Sequence, residues 1–151
     1  MSSKAYIHAS SPTYTQFMKI IHKIAAMVIR DDSFLMVRKK GKDIWTNLGG
    51  RPEENESEEQ TLLREIKEEL DCDGVIIRKL GDFEAPAAMD DAMVKLSTYL
   101  VELKGKMQIS DPELEEYRFI GIDYKEQGIK LPESIEKQLL PFCIKDGLLN
   151  W

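Results

Sequence analysis

The stretch from Gly50 to Cys72 reads GRPEENESEEQTLLREIKEELDC, and it decides how the rest of the chain is interpreted. Residues 53 to 73 contain ten carboxylates against two basic residues, Arg64 and Lys67. This single segment is therefore more acidic than the whole chain, whose formal net charge is −6. An overall acidic chain is a poor partner for the phosphate backbone of a nucleic-acid polymer.

The second half of this stretch has the pattern of an amphipathic helix. Ser57 and Gln60 have the spacing of a capping box, so the helix is predicted over Ser57 to Leu70. At about 100° per residue, four apolar residues fall on one side and are expected to face the core. They are Leu62, Leu63, Ile66 and Leu70.

Three carboxylates, those of Glu65, Glu68 and Glu69, share a stripe beside this apolar face. Like charges at these spacings repel, and the repulsion grows near a partly buried surface. A bound divalent cation would offset it. Hard oxygen donors without sulfur or imidazole favour Mg²⁺, Mn²⁺ or Ca²⁺, and a magnesium site of this kind suits a polyphosphate substrate. The alternative is an acidic helix face that is simply solvated.

The whole stretch resembles the Nudix box, which reads glycine, five residues, glutamate, seven residues, then Arg-Glu-apolar-any-Glu-Glu-any-Gly-apolar. The residues that match its constrained positions are Gly50, Glu56, Arg64, Glu65, Ile66, Glu68, Glu69 and Cys72. Asp71 stands where the family has the glycine that closes the helix. The segment IWTNLGG also resembles the Trp-x-x-Pro-Gly-Gly approach to the box, with Leu48 in place of proline. The resemblance implies an α/β fold, the Nudix α/β/α sandwich, with a mixed β-sheet flanked by helices.

The resemblance also implies a reaction and a metal site. Nudix family members cleave a diphosphate linkage within a nucleoside diphosphate joined to another group. Carried onto this chain, the ligands for Mg²⁺, with Mn²⁺ as a substitute, are expected to be Gly50, Glu56, Glu65, Glu68 and Glu69. The catalytic residues are expected to be Arg64, Glu65, Glu68 and Glu69. Arg64 is expected to orient the glutamates, and Glu56 to reach the metal through water.

Residues outside the acidic helix are assigned to the substrate with alternatives left open. Trp45 borders the nucleobase or anchors its loop in the core, while Arg51 and Glu116 are assigned to substrate binding. The catalytic base is Glu68, Glu69 or an acid of a later loop. The candidates in that loop are Glu113, Glu115 and Glu116.

Three functions remain open at this point. The first is a nucleotide pyrophosphohydrolase acting on a nucleoside di- or triphosphate derivative. The second keeps the chemistry but takes ADP-ribose or a sugar nucleotide, towards which Pro86 gives a weak hint. The third is a non-catalytic nucleotide-binding module. The substrate in each case is a small molecule.

The remaining elements are read from apolar patterns and turn residues. Strands are predicted from 22 to 30 and 33 to 39 around Asp31-Asp32, then from 75 to 80 with Gly81 at its end, 93 to 103 and 117 to 122. A loop is predicted from 82 to 92. Pro132 opens a C-terminal helical region that Pro141 should kink or divide. Ser11-Pro12 could begin another helix.

Length, composition and apolar runs predict the number of domains and the location of the protein. A chain of 151 residues with 42% apolar residues is sufficient for a single domain, predicted over residues 1–151 with an uncertain extension at 1–20. The longest apolar run, Ile24 to Ile29, is too short to span a membrane. The N-terminus has no secretory signal pattern, so a cytoplasmic location is expected. Cys72 and Cys143 are expected to be reduced. The resemblance to the family makes a homodimer possible.

Overall fold

The structure, a computed structural model, describes residues 19–88 and 90–151. The helix start predicted at Ser11-Pro12, and nearly all of the extension at 1–20, lie outside the described residues. The strands and helices of the described part are, in chain order, β1 (Lys19–Met27), β2 (Ile29–Arg30), β3 (Ser33–Lys39), β4 (Trp45–Thr46), β5 (Leu48–Gly50), α1 (Glu58–Leu70), β6 (Asp73–Pro86), β7 (Ala92–Lys104), β8 (Leu114–Ile120), a π-helical segment (Ser134–Leu139) and α2 (Leu140–Lys145).

The strands form two hydrogen-bonded sheets. In the first, the order is β5-β1-β7-β6, with β1 parallel to β7 and the other two pairings antiparallel. In the second, β3 pairs antiparallel with β2, β4 and β8. The prediction of a mixed sheet with flanking helices is confirmed, because β1 carries both parallel and antiparallel partners.

The strands bury both of their faces, which explains why β1 and β3 read as nearly continuous apolar runs. Along β1, Ala25 and Met27 belong to one hydrophobic cluster, whereas Ile24 and Ala26 belong to another. The first cluster includes residues of the C-terminal helical segments, such as Leu139, and the second includes residues of α1. Successive side chains of a strand point to opposite faces, so the strands lie between α1 and the C-terminal helices in an α/β/α arrangement.

The first predicted strand pair is confirmed in part. Asp31 and Asp32 form the two-residue turn between β2 and β3. Both have positive φ, 49° and 60°, which favours the twist of a two-residue β-hairpin. The predicted continuous strand from 22 to 30 is wrong, because the chain divides at Val28. Residues before Val28 pair with β5 and β7 in the first sheet, and β2 pairs with β3 in the second, so the chain passes from one sheet to the other at Val28.

The predicted end of the next strand at Gly81 is wrong, and so is the part of the predicted loop that covers residues 82–86. β6 continues from Asp73 to Pro86 along β7, and the register shifts between Lys79 and Gly81. Gly81 has a φ of 153° and lies in this irregularity, so here glycine marks a bulge inside a strand. The strand predicted from 117 to 122 begins earlier, at Leu114.

Two predictions about helices differ in outcome. The division of the C-terminal helical region is confirmed, since the π-helical segment gives way to α2 at Leu140, directly before Pro141. The apolar face of α1 is narrower than predicted: Leu62, Ile66 and Leu70 are buried, but Leu63 is 40% exposed. No helix within residues 19–88 and 90–151 is long and apolar enough to cross a membrane.

Both cysteines are free and buried, as expected for reduced core thiols. Cys72 follows α1 and belongs to the same cluster as its apolar face. Cys143 lies in α2 in the other cluster, so the two thiols are on opposite sides of the strands.

Candidate active site

Local sequence signals define both ends of α1. At the start, Ser57 Oγ accepts a hydrogen bond from the Gln60 amide, and the Gln60 side chain accepts one from the Ser57 amide. At the end, Asp71 adopts the left-handed conformation, with φ 54° and ψ 38°, and its amide donates to the Lys67 carbonyl. Asp71 therefore takes the conformation that a glycine would take here. The helix ends at the same position of the motif at which the family has its glycine.

Two glycines of β5 let the main chain approach both β1 and α1. Gly49 has a φ of 140°, and a Cβ there would overlap the Ile24 carbonyl of β1. A Cβ on Gly50 would overlap the carboxylate of Glu65. The Gly49 amide donates a hydrogen bond of 3.0 Å to Glu69 Oε1. Glycine is therefore required at position 49 by the main chain of β1, whereas a side chain at position 50 would displace the Glu65 carboxylate.

Glu69 is the most buried carboxylate of the acidic helix, with 7% of its surface exposed. Burial raises its pKa to about 7, and the nearby charges of Glu65 and Asp111 act in the same direction. The Gly49 amide and the charge of Lys23 oppose this shift. Burial disfavours the charged form of a carboxylate, so Glu69 sits where an additional positive charge would be stabilising.

Arg64 lies on α1 and binds the other acids of the box. Its guanidinium donates to both oxygens of Glu56, at 2.6 and 3.0 Å, and to Glu65 at 3.0 Å. It also contacts Glu68 at 3.4 Å. The Arg64 hydrogen bonds are the main reason that the pKa of Glu56 falls to about 2, and Thr61 adds a further hydrogen bond of 2.8 Å. Arg64 therefore links the start of α1 to its acidic stripe.

A cavity of about 480 Å³ opens beside this stripe. Its size is typical of a site for a small organic ligand. Carboxylates and basic side chains form its charged lining, and these residues are Lys23, Lys39, Lys42, Arg51, Glu65, Glu68, Glu69, Asp90, Asp111 and Glu113. Its apolar lining includes Ile21, Val37, Ile44, Val94, Leu96, Leu114 and Ile135. The cavity thus combines charged and apolar walls.

The structure brings five of the predicted site residues to this cavity, and these are Gly50, Arg51, Glu65, Glu68 and Glu69. Glu56 and Arg64 are not in its lining. They lie behind the carboxylates, where Glu56 is held by Arg64, Thr61 and the Glu53 amide. Of the three later acids that were candidates for the base, Glu113 lines the cavity, while Glu115 and Glu116 do not.

Trp45 and Glu116 lie away from the cavity lining. Trp45 is 5% exposed, and its ring lies within 5.7 Å of the Arg38 guanidinium and 5.0 Å of the Arg118 guanidinium. Glu116 accepts a hydrogen bond of 2.7 Å from Arg38, which holds the pKa of this carboxyl below its usual range. Of the two alternatives for Trp45, this position matches the anchoring of its loop in the core.

Sequence reasoning missed Lys23, Asn47 and Asp111 as cavity residues. Lys23 is a lysine within the apolar strand β1, and burial lowers its pKa despite the charge of Glu69 nearby. The signal for Lys23 was present, since a basic residue interrupts an otherwise apolar run. Asp111 had no local signal: its loop reaches the site because the Ser110 amide donates to the Glu69 carbonyl at 2.9 Å.

The carboxylates of the cavity have the chemistry of a hard-cation site. Glu65, Glu68 and Glu69 offer oxygen donors, and Glu69 is buried beside other acids with a single amide donor. Within residues 19–88 and 90–151, no three acidic, histidine or cysteine side chains already surround one point. The Glu68 side chain is 56% exposed, so it can turn towards the other two. The donor set fits a divalent ion such as Mg²⁺ or Mn²⁺.

Comparison with known proteins agrees with this geometry. The family model described as NUDIX domain matches residues 21–132, which is well over half of the chain. The chain therefore belongs to the NUDIX family.

Individual relatives are similar over different lengths. The CTP pyrophosphohydrolase of Escherichia coli strain K12 is 33% identical over 63 residues, covering 39% of this chain and 47% of that protein. The chain thus matches about half the length of this curated relative.

Two solved structures have the same fold. The ORF135 protein of E. coli has a TM-score of 0.64 at 24% identity, over 83% of this chain and 89% of that one. An ADP-ribose pyrophosphatase from Streptococcus suis 89-1591 has a TM-score of 0.64 at 19% identity, over 83% of this chain and 90% of that one. At these identities the two structures establish the fold alone.

Proposed function

We propose that this chain is a nucleotide pyrophosphohydrolase, which uses Mg²⁺, or Mn²⁺ in its place, to hydrolyse a diphosphate linkage in a nucleoside di- or triphosphate derivative. The observation that carries the proposal is the arrangement of Glu65, Glu68 and Glu69 along one cavity, together with the basic side chains of Lys23 and Arg51. Membership of the NUDIX family and the similarity to a CTP pyrophosphohydrolase of E. coli support this chemistry.

The metal site is proposed on the carboxylates of α1. Glu65, Glu68 and Glu69 would hold the ion, with the Gly50 carbonyl beside them. A divalent ion at this position would neutralise phosphate charge and lower the pKa of a bound water. Glu56 is held by Arg64 in the structure, and we assign it to positioning Arg64, with a water-mediated contact to the metal left as a prediction.

The basic residues of the cavity are proposed to bind the substrate phosphates. Lys23 comes from β1 and Arg51 directly follows β5, and the pairing of Ile24 with Gly50 places the two residues beside each other at the end of this strand pair. A diphosphate repels nucleophiles through its own negative charge, and cationic side chains reduce that repulsion. Among the three candidate bases of the later loop, we favour Glu113 because it alone of the three lines the cavity.

Two alternatives use the same cavity. ADP-ribose or a sugar nucleotide would carry a second sugar in place of a terminal phosphate, and one structural relative is an ADP-ribose pyrophosphatase. A non-catalytic nucleotide-binding module would bind these ligands without turnover. The charged lining favours a substrate with phosphate charge and does not separate the first two classes.

The test is a panel of nucleoside triphosphates, ADP-ribose and sugar nucleotides, incubated with the protein and Mg²⁺. Released phosphate, pyrophosphate and nucleoside monophosphate are quantified. We expect turnover of at least one nucleotide and its loss after addition of a chelator. Binding of nucleotides without turnover of any compound would instead favour the binding module.

A single substitution tests whether the activity depends on the proposed metal site. Glu68→Gln is expected to lower kcat roughly a hundredfold or more, because it removes a charged group at the proposed metal. Glu59→Gln is the matched control, since Glu59 is an exposed acid of the same helix outside the cavity lining. Equal activity of both variants would contradict the proposed metal site.

A further inference from the structure

The acidic and basic side chains that line the cavity do not pair with each other. Among residues 19–88 and 90–151, the lining carboxylates form ion pairs only with Arg64, which is not in the lining. The four basic residues of the lining have no ion pair with a carboxylate in that part of the chain, and they are Lys23, Lys39, Lys42 and Arg51. The chain has a net charge of −6, so acids are abundant. The cavity therefore keeps four cations open to an anion from outside.

The four cations form two neighbouring pairs. Lys23 and Arg51 lie side by side at the end of the β1–β5 strand pair, next to the acids of α1. Lys39 and Lys42 belong to the second sheet, where Lys39 ends β3. Burial lowers the pKa of Lys23, and the charge of Lys39 acts in the same direction, so the two pairs are near each other. The cations thus continue from the acidic helix across to the second sheet.

The second pair is built by a β-turn. The Lys42 amide donates to the Lys39 carbonyl at 3.1 Å, and Gly41 in the third position of the turn has a φ of 76°. Such a turn brings the Cα atoms of its first and last residues within about 7 Å, so the two lysines are neighbours. Arg38 donates to the Lys42 carbonyl at 2.9 Å and fixes the end of the turn. Lys40, in the second position, is not in the cavity lining.

The neighbours of this turn are already neutralised. Arg38, directly before it, pairs with Glu116 at 2.7 Å, and Asp43, directly after it, pairs with Lys130 at 2.8 Å. Lys39 and Lys42 lie between these ion pairs and have none of their own in the part of the chain that the structure describes. The two lysines therefore present uncompensated charge to the cavity.

The overall charge of the lining fits both classes of substrate, but the position of Lys39 and Lys42 separates them. Lys23 and Arg51 lie beside the proposed metal ligands, where they can bind the two phosphates of the cleaved linkage. Both substrate classes contain these two phosphates. A nucleoside triphosphate adds a third phosphate with further negative charge, whereas ADP-ribose adds a neutral sugar. Two ammonium groups bind a phosphate through charge-assisted hydrogen bonds, which are stronger than those to a neutral hydroxyl.

We propose that Lys39 and Lys42 form a subsite for the terminal phosphate of a nucleoside triphosphate, so that the cavity selects triphosphates over ADP-ribose and sugar nucleotides. This inference rests on the proposed function, because it takes the ligand to be a nucleotide. The selection is electrostatic, so it weakens as the salt concentration rises.

The first experiment measures binding to the wild-type protein by isothermal titration calorimetry in the presence of a chelator, which requires no turnover. ATP is compared with ADP-ribose, and CTP with CDP-glucose, so that the base and its ribose are the same within each pair. The triphosphate is expected to bind roughly tenfold or more tightly in at least one pair at low salt. Equal binding in both pairs, tighter binding of the sugar derivatives, or no binding of either triphosphate would overturn the proposal.

The second experiment removes the charges one at a time. Lys39→Met and Lys42→Met keep an unbranched stem, and both sites are exposed. Each variant is expected to weaken triphosphate binding about fivefold to tenfold and binding of the sugar derivative by less than about twofold. Lys40→Met is the matched control, since it removes the same charge from the same turn outside the lining. A loss as large in Lys40→Met, or equal losses for both ligands, would overturn the proposal.

Turnover with Mg²⁺ separates this inference from the proposed function. A protein that hydrolyses triphosphates but binds ATP and CTP no more tightly than their sugar derivatives would contradict the subsite and leave the proposed function intact. Triphosphate binding that depends on Lys39 and Lys42, without hydrolysis of any compound, would contradict the proposed function and leave the subsite intact. If both proposals are correct, Lys42→Met raises the KM for the triphosphate with little change in kcat.

Discussion

Glu56 and Glu69 belong to the same acidic motif but lie in opposite electrostatic environments. Glu56 accepts hydrogen bonds from Arg64, Thr61 and the Glu53 amide, and its pKa is lowered to about 2. Glu69 is 7% exposed, accepts one from the Gly49 amide, and its pKa is raised to about 7. Two carboxylates thirteen residues apart are thus shifted in opposite directions.

This difference separates a structural acid from an acid that is open to a ligand. The charge of Glu56 is already balanced by Arg64, so it holds the guanidinium that contacts the acids of α1. The charged form of Glu69 is disfavoured by burial and by the negative charges of Glu65 and Asp111. Perturbed carboxylates in a cavity are candidates for function, whereas fully bonded ones more often support their neighbours.

The largest expected effect concerns activity and Glu69. Glu69→Gln should lower kcat by about a hundredfold to a thousandfold, because it replaces a proposed metal-binding carboxylate with a neutral amide. Steady-state kinetics with the best substrate of the nucleotide panel measures this, with Glu59→Gln as the control. Activity close to that of the control would remove Glu69 from the site.

The second effect concerns stability and pH in the metal-free protein. A carboxyl whose folded pKa is raised from about 4.5 to about 7 stabilises the fold fully below its unfolded pKa, and this contribution is lost as pH rises to about 7. Relative to Glu69→Gln, the wild type should lose on the order of 3 kcal/mol of unfolding free energy between pH 4.5 and pH 7.5. Urea denaturation of both proteins in chelator measures the difference. Parallel pH profiles would contradict it.

The third effect is smaller and sharpens the role of Glu56. Glu56→Gln should lower kcat about tenfold with little change in KM, because Arg64 loses its main anchor and positions the acids of α1 less well. Its folded pKa is depressed, so its stabilising contribution is present above about pH 4.5 and lost as the pH falls towards 2. The variant should therefore show a weaker decline of stability in acid.

A matched variant accompanies this third test. Glu53 lies 3.8 Å from Arg64 but its side chain is 68% exposed, so Glu53→Gln is expected to change kcat and acid stability little. An effect of Glu53→Gln as large as that of Glu56→Gln would show that general charge, and not the Arg64 contact, explains the result.

The elements with strong local signals were predicted well. The capping box at Ser57 and Gln60 and the apolar spacing of α1 act within one or two turns, so the sequence was sufficient to place this helix. The end of β6 was predicted wrongly. Glycine was taken as the end of the strand, but Gly81 lies in a bulge within β6, which continues to pair with the long strand β7. Leu63 has the apolar spacing of the core face but lies at its exposed edge.

The candidate site was predictable where the motif covers it. Gly50, Arg51 and three acids of α1 lie within one continuous stretch, and the structure brings them to the cavity. The three acids are Glu65, Glu68 and Glu69. The assignments of Trp45 and Glu116 to the substrate remain predictions, since both lie outside the cavity lining. Lys23 was marked by its place in an apolar run, but the pairing of β1 with β5, which brings Lys23 and Asn47 to the cavity, is not encoded by a local pattern.

The sequence alone determined the acidic helix, its ends and the chemistry of its ligands, because capping, helical periodicity and carboxylate chemistry are local properties. The tertiary structure alone decided which acid is neutralised by Arg64, which is buried beside Gly49, and which distant residues complete the cavity. Burial and the distances between charges arise from packing between segments far apart in the chain, and they set the pKa of each group and the hydrogen bonds open to a ligand.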